Sequence, residues 1–287
     1  MLCSNQEVAR AIALLIGVSV ITTMMTLLSL SMGREPTPFW SLPVINNHSF
    51  AYIHNDVDFC TRNKIDILLV VPSAAANFVK RQTARDGSRG EYVQNATNHA
   101  AMLFFLGKPS VNENMTTIQQ EIDQEAKVFG DIIQEDFEDV YKNNRLKSVA
   151  MLRWISKYCT SAKYVIRTDD DIGINISSLV PVLERTARSL DNFMIGRKLV
   201  NDVPARDVNS KYYMSLREYP KRNLPPYLLG GLVGYPASTA KLLYEAALRV
   251  KPIWLEDVYI SGMCAPYVNV TILSDPEFTF QHKSPAS

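Results

Sequence analysis

Apolar positions along the chain follow two alternating rhythms. Short runs at residues 65–71, 101–106, 131–133, 164–166, 192–196 and 270–273, bounded by turn-forming residues, read as buried strands. Between them the spacing turns helical. Ile118, Ile122, Ala126 and Phe129 mark one helix, and Leu146, Val149, Leu152 and Ile155 a second. Leu179, Val182, Leu183 and Leu190 mark a third, capped by Ser177 or Ser178, and Ser238 starts a fourth over 240–248. This alternation predicts an α/β fold with a mostly parallel central sheet flanked by helices. Trp154 and Phe129 fall at core positions of their helices. A basic segment separates the first two strands, residues 201–226 are loop-rich, and no internal repeat is present.

A different pattern opens the chain. No charged residue occurs from Ala11 to Gly33. The run is long enough to cross a bilayer as a helix, and longer than the ~7–15-residue apolar core of a cleaved signal peptide. The expected organisation is a cytoplasmic tail (1–10), a transmembrane signal anchor (11–33), a proline- and polar-rich stem (34–60) and a lumenal domain (61–287), with folded sequence beginning near Lys64. Arg10 and Arg34 flank the run and orient it only weakly. The glycosylation sequons decide the orientation, because those at Asn47, Asn95, Asn114, Asn175 and Asn269 all follow the run, as in a single-pass type II protein. In an oxidising lumen Cys60, Cys159 and Cys264 allow one disulfide and one leftover thiol, with the pairing open. No closely spaced His/Cys set suggests a zinc site.

Composition narrows the function classes. The 287 residues are 47% hydrophobic, and 30 Lys and Arg balance 29 Asp and Glu for a net charge of +1. One catalytic-sized domain is the default, and no basic field points to nucleic acid or an anionic membrane surface. The strongest chemical signal is Asp169-Asp170-Asp171, placed directly after the strand at 164–166. Three adjacent carboxylates repel unless neutralised, and oxygen donors of this kind suit Mg²⁺ or Mn²⁺. Ligands of open α/β sheets bind beyond the carboxyl ends of strands, which is where the triplet lies. A solvated acidic turn is the competing reading.

Several blocks recur in the order of a known family. They are Arg81-Gln82-Thr83-Ala84-Arg85, Phe104-Phe105-Leu106-Gly107, Asp136-Phe137-Glu138-Asp139-Val140-Tyr141, Arg167-Thr168-Asp169-Asp170-Asp171, Pro225-Pro226-Tyr227 with Gly230-Gly231, and Glu256-Asp257-Val258-Tyr259. Over residues 60–282 the chain resembles the animal β1,3-galactosyltransferase and β1,3-N-acetylglucosaminyltransferase family. The resemblance implies a type II Golgi membrane protein with a GT-A nucleotide-binding fold. It also implies an inverting transferase that uses Mn²⁺ to pass galactose or N-acetylglucosamine from a UDP-sugar to a glycan on a glycoprotein or glycolipid, in β1,3 linkage. Asp171 is then the first metal ligand. Asp169 is a second ligand or faces the ribose or uracil, Asp170 supports the metal or the sugar, and His282 is an imidazole ligand. Asp257 maps onto the catalytic base that takes the acceptor hydroxyl's proton.

Arg81 and Arg85, four apart on one helical face, are expected at the nucleotide's phosphate or base, against the alternative of solvated surface arginines. Gly230-Gly231 reads either as a close backbone approach to the transferred sugar or as an ordinary turn. The chain also departs from the family. The tryptophan expected after Arg85 is missing, with Ser88 near that place, Pro72 replaces a basic residue after the first strand, and Val233 and Leu228-Leu229 alter the sugar loop. These changes motivate a second reading, a catalytically silent Golgi protein that binds glycans or partners active transferases. A third, a secreted lectin, requires cleavage after the apolar run.

Overall fold

The computed structural model describes residues 5–31, 39–111 and 114–280. The chain divides after Leu42 into two units. The first contains helix α1, Asn5–Ser31, and a short turn at Phe39–Ser41. Large apolar side chains from Ile12 to Met25 are exposed on α1. Among the described residues no helix is long and apolar enough to cross a membrane. Both flanks of the apolar run, at 11 and from 26 onward, have side chains outside that description.

Among the described residues the second unit holds a sheet of eight strands: β1 Tyr52–His54, β2 Ile67–Pro72, β3 Ala100–Lys108, β4 Ile132–Glu138, β5 Tyr164–Thr168, β6 Phe193–Leu199, β7 Tyr227–Pro236 and β8 Thr271–Ser274. Their spatial order is β1-β4-β3-β2-β5-β7-β6-β8. Helices α2 Phe59–Arg62, α3 Phe78–Asp86, α4 Ser88–Gln94, α5 Met115–Phe129, α6 Asn144–Tyr158, α7 Ile176–Ala187 and α8 Ala237–Ala247 complete it. Strands β4-β3-β2-β5 run parallel, and their centres are fully buried, which is why they read as continuous apolar runs.

The sheet is mostly parallel but mixed, because β7 runs antiparallel to both β5 and β6 and β1 antiparallel to β4. Its glycines resemble turn sequence. In the structure they are strand positions against which aromatic rings lie: a Cβ on Gly234 would fall 2.7 Å from the Phe278 ring, and one on Gly231 2.2 Å from the Phe280 ring.

The stem boundary also moves. Folded chain begins at Pro43 rather than near Lys64. Ile45 and Asn46 donate their N–H groups to the carbonyl of Leu248, at 2.9 and 3.0 Å, and His48 Nε2 is buried 2.6 Å from Glu135 Oε2. β1 adds to the edge strand β4, and three residues are too few to show a period. Of the three cysteines that follow the apolar run, Cys60 and Cys159 pair, tying α2 to the end of α6, and Cys264 stays a buried thiol. A link across 99 residues constrains the unfolded chain by roughly 4–5 kcal/mol in the chain-entropy model. Trp154 is fully buried as expected, whereas Phe129 is 46% exposed and instead carries the Arg85 guanidinium 4.0 Å from its ring centroid.

Arg81 and Arg85 do share one face of α3, but that face packs on α5 and not on a ligand site. Arg81, wholly buried, donates through Nε and Nη2 to Glu125 at 2.6–3.0 Å and through Nη1 to the Ala74 carbonyl at 2.8 Å. Arg85 grips Asp131 with two bonds of 2.8 Å and also donates to Glu125 Oε1. Burial opposes ionisation of Glu125, but the two arginines outweigh it and hold the carboxyl below its usual range. Removing one member of such a network strands buried charge. Arg81→Met should therefore lower stability by about 3–5 kcal/mol in denaturant titration. An Arg81 acting as a phosphate ligand would instead lose nucleotide affinity with the midpoint unchanged.

Candidate active site

The loops that follow β2, β4 and β5 emerge at the carboxyl end of the parallel strands, and the acidic triplet starts the last of them. Asp169 stays tied to the sheet, its N–H donating to Gly231 O at 3.0 Å. Arg89 locks the turn from behind, with Nη1 on Asp169 O at 2.8 Å and Nη2 on Asp170 O at 3.1 Å. The three side chains then diverge. Asp170 is 8% exposed and accepts from Ser73 Oγ and Asn77 Nδ2, both at 2.8 Å, so it anchors the loop after β2. Asp169 and Asp171 face open space. Asp169 Oδ1 lies 2.9 Å from Arg167 Nη1, and Asp171 accepts from Lys80 Nζ at 3.2 Å.

Two adjoining cavities meet at these groups. One, of about 360 Å³, is lined by Ser73, Asn77, Lys80, Lys147 and all three aspartates. The other, of about 620 Å³, opens toward Tyr141, Tyr212 and Trp254 and contains Asp169, Asp171 and Asp257. Arg167 lines both. Asp169, Asp171 and Asp257 thus line one cavity, while Asp170 lines only the smaller one.

Asp257 arrives from the opposite wall. It precedes a π-helical turn, Val258–Cys264, whose first N–H donates to its Oδ1 at 2.8 Å. Ser261 Oγ donates to the Asp257 carbonyl at 2.6 Å and accepts from the Leu228 N–H at 2.8 Å, pinning the segment to β7. Its neighbour Glu256 accepts from Arg167 Nη2 at 2.8 Å and from Ser148 Oγ at 2.7 Å. A void of about 40 Å³ lined by Met151, Leu152 and Met194 backs this pair. Burial, then the adjacent Glu256 charge, push Asp257 from its ordinary value near 3.8 up to about 7. Burial opposes charge on Arg167, yet Asp169 and Glu256 outweigh it and hold the guanidinium above its normal value. Burial and Tyr212 push the Tyr141 phenol up to about 12, leaving it protonated at the mouth of the larger cavity.

Gly230 and Gly231 border the cleft, but what approaches them is the protein itself. A Cβ on Gly230 would lie 2.5 Å from Glu256 Oε1, so the glycine makes room for the carboxylate pair. Gly231 makes room for Phe280 and Ile172. Arg81 and Arg85 lie outside both cavities, and His282 lies outside the described residues. Among the described residues no group of three His, Cys, Asp or Glu side chains converges on one point. The donors on hand are Asp169 and Asp171. Such a pair suits a hard cation that takes its remaining ligands from phosphate and water.

Sequence reading did not assign roles to Arg167, Glu256, Lys80 or Arg89. One signal was available. An arginine inside the otherwise apolar β5 needs buried carboxylates around it.

Comparison with known proteins identifies the family. The galactosyltransferase family model matches residues 81–276. Beta-1,3-galactosyltransferase 1 of Mus musculus and of Homo sapiens are each 34% identical over 238 residues, 82% of this chain and 71% of theirs. UDP-GalNAc:beta-1,3-N-acetylgalactosaminyltransferase 1 of Mus musculus is 31% identical over 236 residues, 82% of this chain and 70% of its own. Among solved structures, a mannosyltransferase from Pyrobaculum calidifontis in complex with GDP-Man and Mn²⁺ aligns with a TM-score of 0.44 at 13% identity, covering 96% of this chain and 69% of that one. The family match and these identities place the chain in the galactosyltransferase family, and it is a glycosyltransferase.

Proposed function

We propose that the protein transfers a hexose, galactose or an N-acetylhexosamine, from a UDP-sugar to a glycan hydroxyl, forming a β1,3 linkage with inversion. One observation carries the reading: Asp257, an acid with a raised pKa and no ion-pair partner among the described residues, faces the cleft that also holds Asp169 and Asp171. The nucleotide occupies the smaller cavity with its diphosphate at the triplet. Its sugar crosses Arg167 into the larger cavity, where the acceptor enters past Tyr141, Tyr212 and Trp254. As the acceptor oxygen bonds to the anomeric carbon, its proton passes to Asp257 and the bond to the diphosphate breaks, its electron pair leaving with UDP. Attack opposite the leaving group inverts the centre. Asp169 and Asp171 suit Mn²⁺ or Mg²⁺, which when bound would neutralise charge on the departing diphosphate.

The silent-partner reading rests on residues altered around the sugar loop. Leu228 and Val233 are buried in β7, with exposures of 0% and 5%, so among the altered residues it is Leu229 and Pro72 that reach the lining of the two cavities. The two carboxylate walls are intact. Catalysis is therefore preferred. We also propose that residues 11–33 anchor the chain in the Golgi membrane with the domain lumenal, supported by exposed asparagines in all five sequons and by the Cys60–Cys159 bridge. After expression in animal cells, alkaline carbonate should leave the chain in the membrane pellet and glycosidase should lower its apparent mass. Recovery as an unglycosylated soluble chain overturns this topology.

A donor screen with Mn²⁺ and an acceptor panel tests the activity. Asp257→Asn should cut kcat/KM by roughly 10²–10⁴-fold while UDP affinity holds; undiminished turnover removes the base role. Because the base must be ionised, log kcat/KM should climb with pH and level off above about 7. A break near 4 contradicts the assignment. Stability gives the opposite trend. The folded-state pKa lies above the unfolded one, so this group's contribution becomes unfavourable as pH rises from 4 to 7. Asp257→Asn should melt above the wild type at pH 8, with the difference vanishing toward pH 4.

A further inference from the structure

The cations around the cleft differ in their freedom. Lys147 is 4% exposed, its ammonium held by Asp139 Oδ1 and the Ser73 carbonyl, both at 2.7 Å. Arg167 is 11% exposed and shared between Asp169 and Glu256. Arg89 is bound to main-chain carbonyls behind the triplet. Lys80 alone among these four is open to solvent, 45% exposed on α3, with Nζ 3.2 Å from Asp171 Oδ2 and 3.4 Å from Asp170 Oδ1. Its four-carbon stem leaves the ammonium free to swing, and it lines the cavity that holds the whole triplet.

We propose that Lys80 is a resident counter-ion of the donor site, neutralising Asp170 and Asp171 while the site is empty, competing with a divalent cation for Asp171, and turning to the donor's diphosphate once that cation is bound. The proposal rests on the donor-site reading above. Its physical basis is local charge. Carboxylates this close need a cation, and the ammonium supplies one in the seat that a hard metal would take on Asp171. A lysine ammonium is cationic near neutral pH. A metal entering beside it repels it, and the anion arriving in the same cavity is the nearest new partner. The lysine then makes a point-charge contact to phosphate from its place on α3.

Calorimetry on the full chain in mild detergent separates the parts. Mn²⁺ titrated without nucleotide should bind Lys80→Met at least fivefold more tightly than wild type, with Lys80→Arg within twofold of wild type. UDP titrated under saturating Mn²⁺ should bind Lys80→Met at least fivefold more weakly. Unchanged Mn²⁺ affinity in Lys80→Met overturns the competition, and unchanged UDP affinity overturns the transfer to phosphate; in both cases the donor-site reading survives. A folded wild type that binds neither Mn²⁺ nor UDP ends both. Melting curves for each variant show that the exposed substitution leaves the fold intact.

Discussion

The structure depends on how negative charge is tolerated at one end of the sheet. Asp139, the aspartate triplet, Glu256 and Asp257 all border the same pair of cavities, at separations where unscreened carboxylates repel. Most are assigned a cation: Lys147 serves Asp139, Lys80 serves Asp170 and Asp171, and Arg167 divides itself between Asp169 and Glu256. Asp257 has no such partner among the described residues, and the apolar void behind it offers no compensation. Its raised proton affinity follows from being the acid left out of the pairing. Proton affinity near neutrality is what a general base requires.

Much of the frame was legible because its strongest elements obey a single period. The parallel strands β2 to β5 and the helices α5, α6 and α8 carry long apolar patterns, and the prediction located them to within a few residues. Elements whose identity depends on distant partners were not legible. β7 reads as a turn from its own glycines and becomes a central strand only because Phe278 and Phe280, over forty residues later, lie across it. β1 is three residues long and exists by pairing with β4. The site divides the same way. The triplet and Asp257 announce themselves as acids in apolar surroundings, whereas the fates of Arg81 and Arg85 were set by Glu125 and Asp131, which spacing along α3 cannot reveal.

The antiparallel β7 bears most directly on chemistry. In a wholly parallel sheet every strand would begin at the far edge and end at the cleft, so two catalytic walls would both have to come from loops after strands. β7 runs the other way, and its beginning, Tyr227 to Gly231, lies beside the end of β5, where Thr168 pairs with Leu232. Through Ser261 the same stretch holds the segment bearing Asp257. Asp257 is thereby fixed to the sheet rather than carried on a free loop, and in the proposed role of base a misplacement of about 1 Å would cost on the order of 10²-fold in rate. Gly230 completes the arrangement: only a residue without a side chain leaves space for Glu256 to reach Arg167. The direction of β7 and the bare Gly230 together let an acid sit on each side of a single arginine, Asp169 and Glu256 about Arg167, while Gly231 makes room for Phe280.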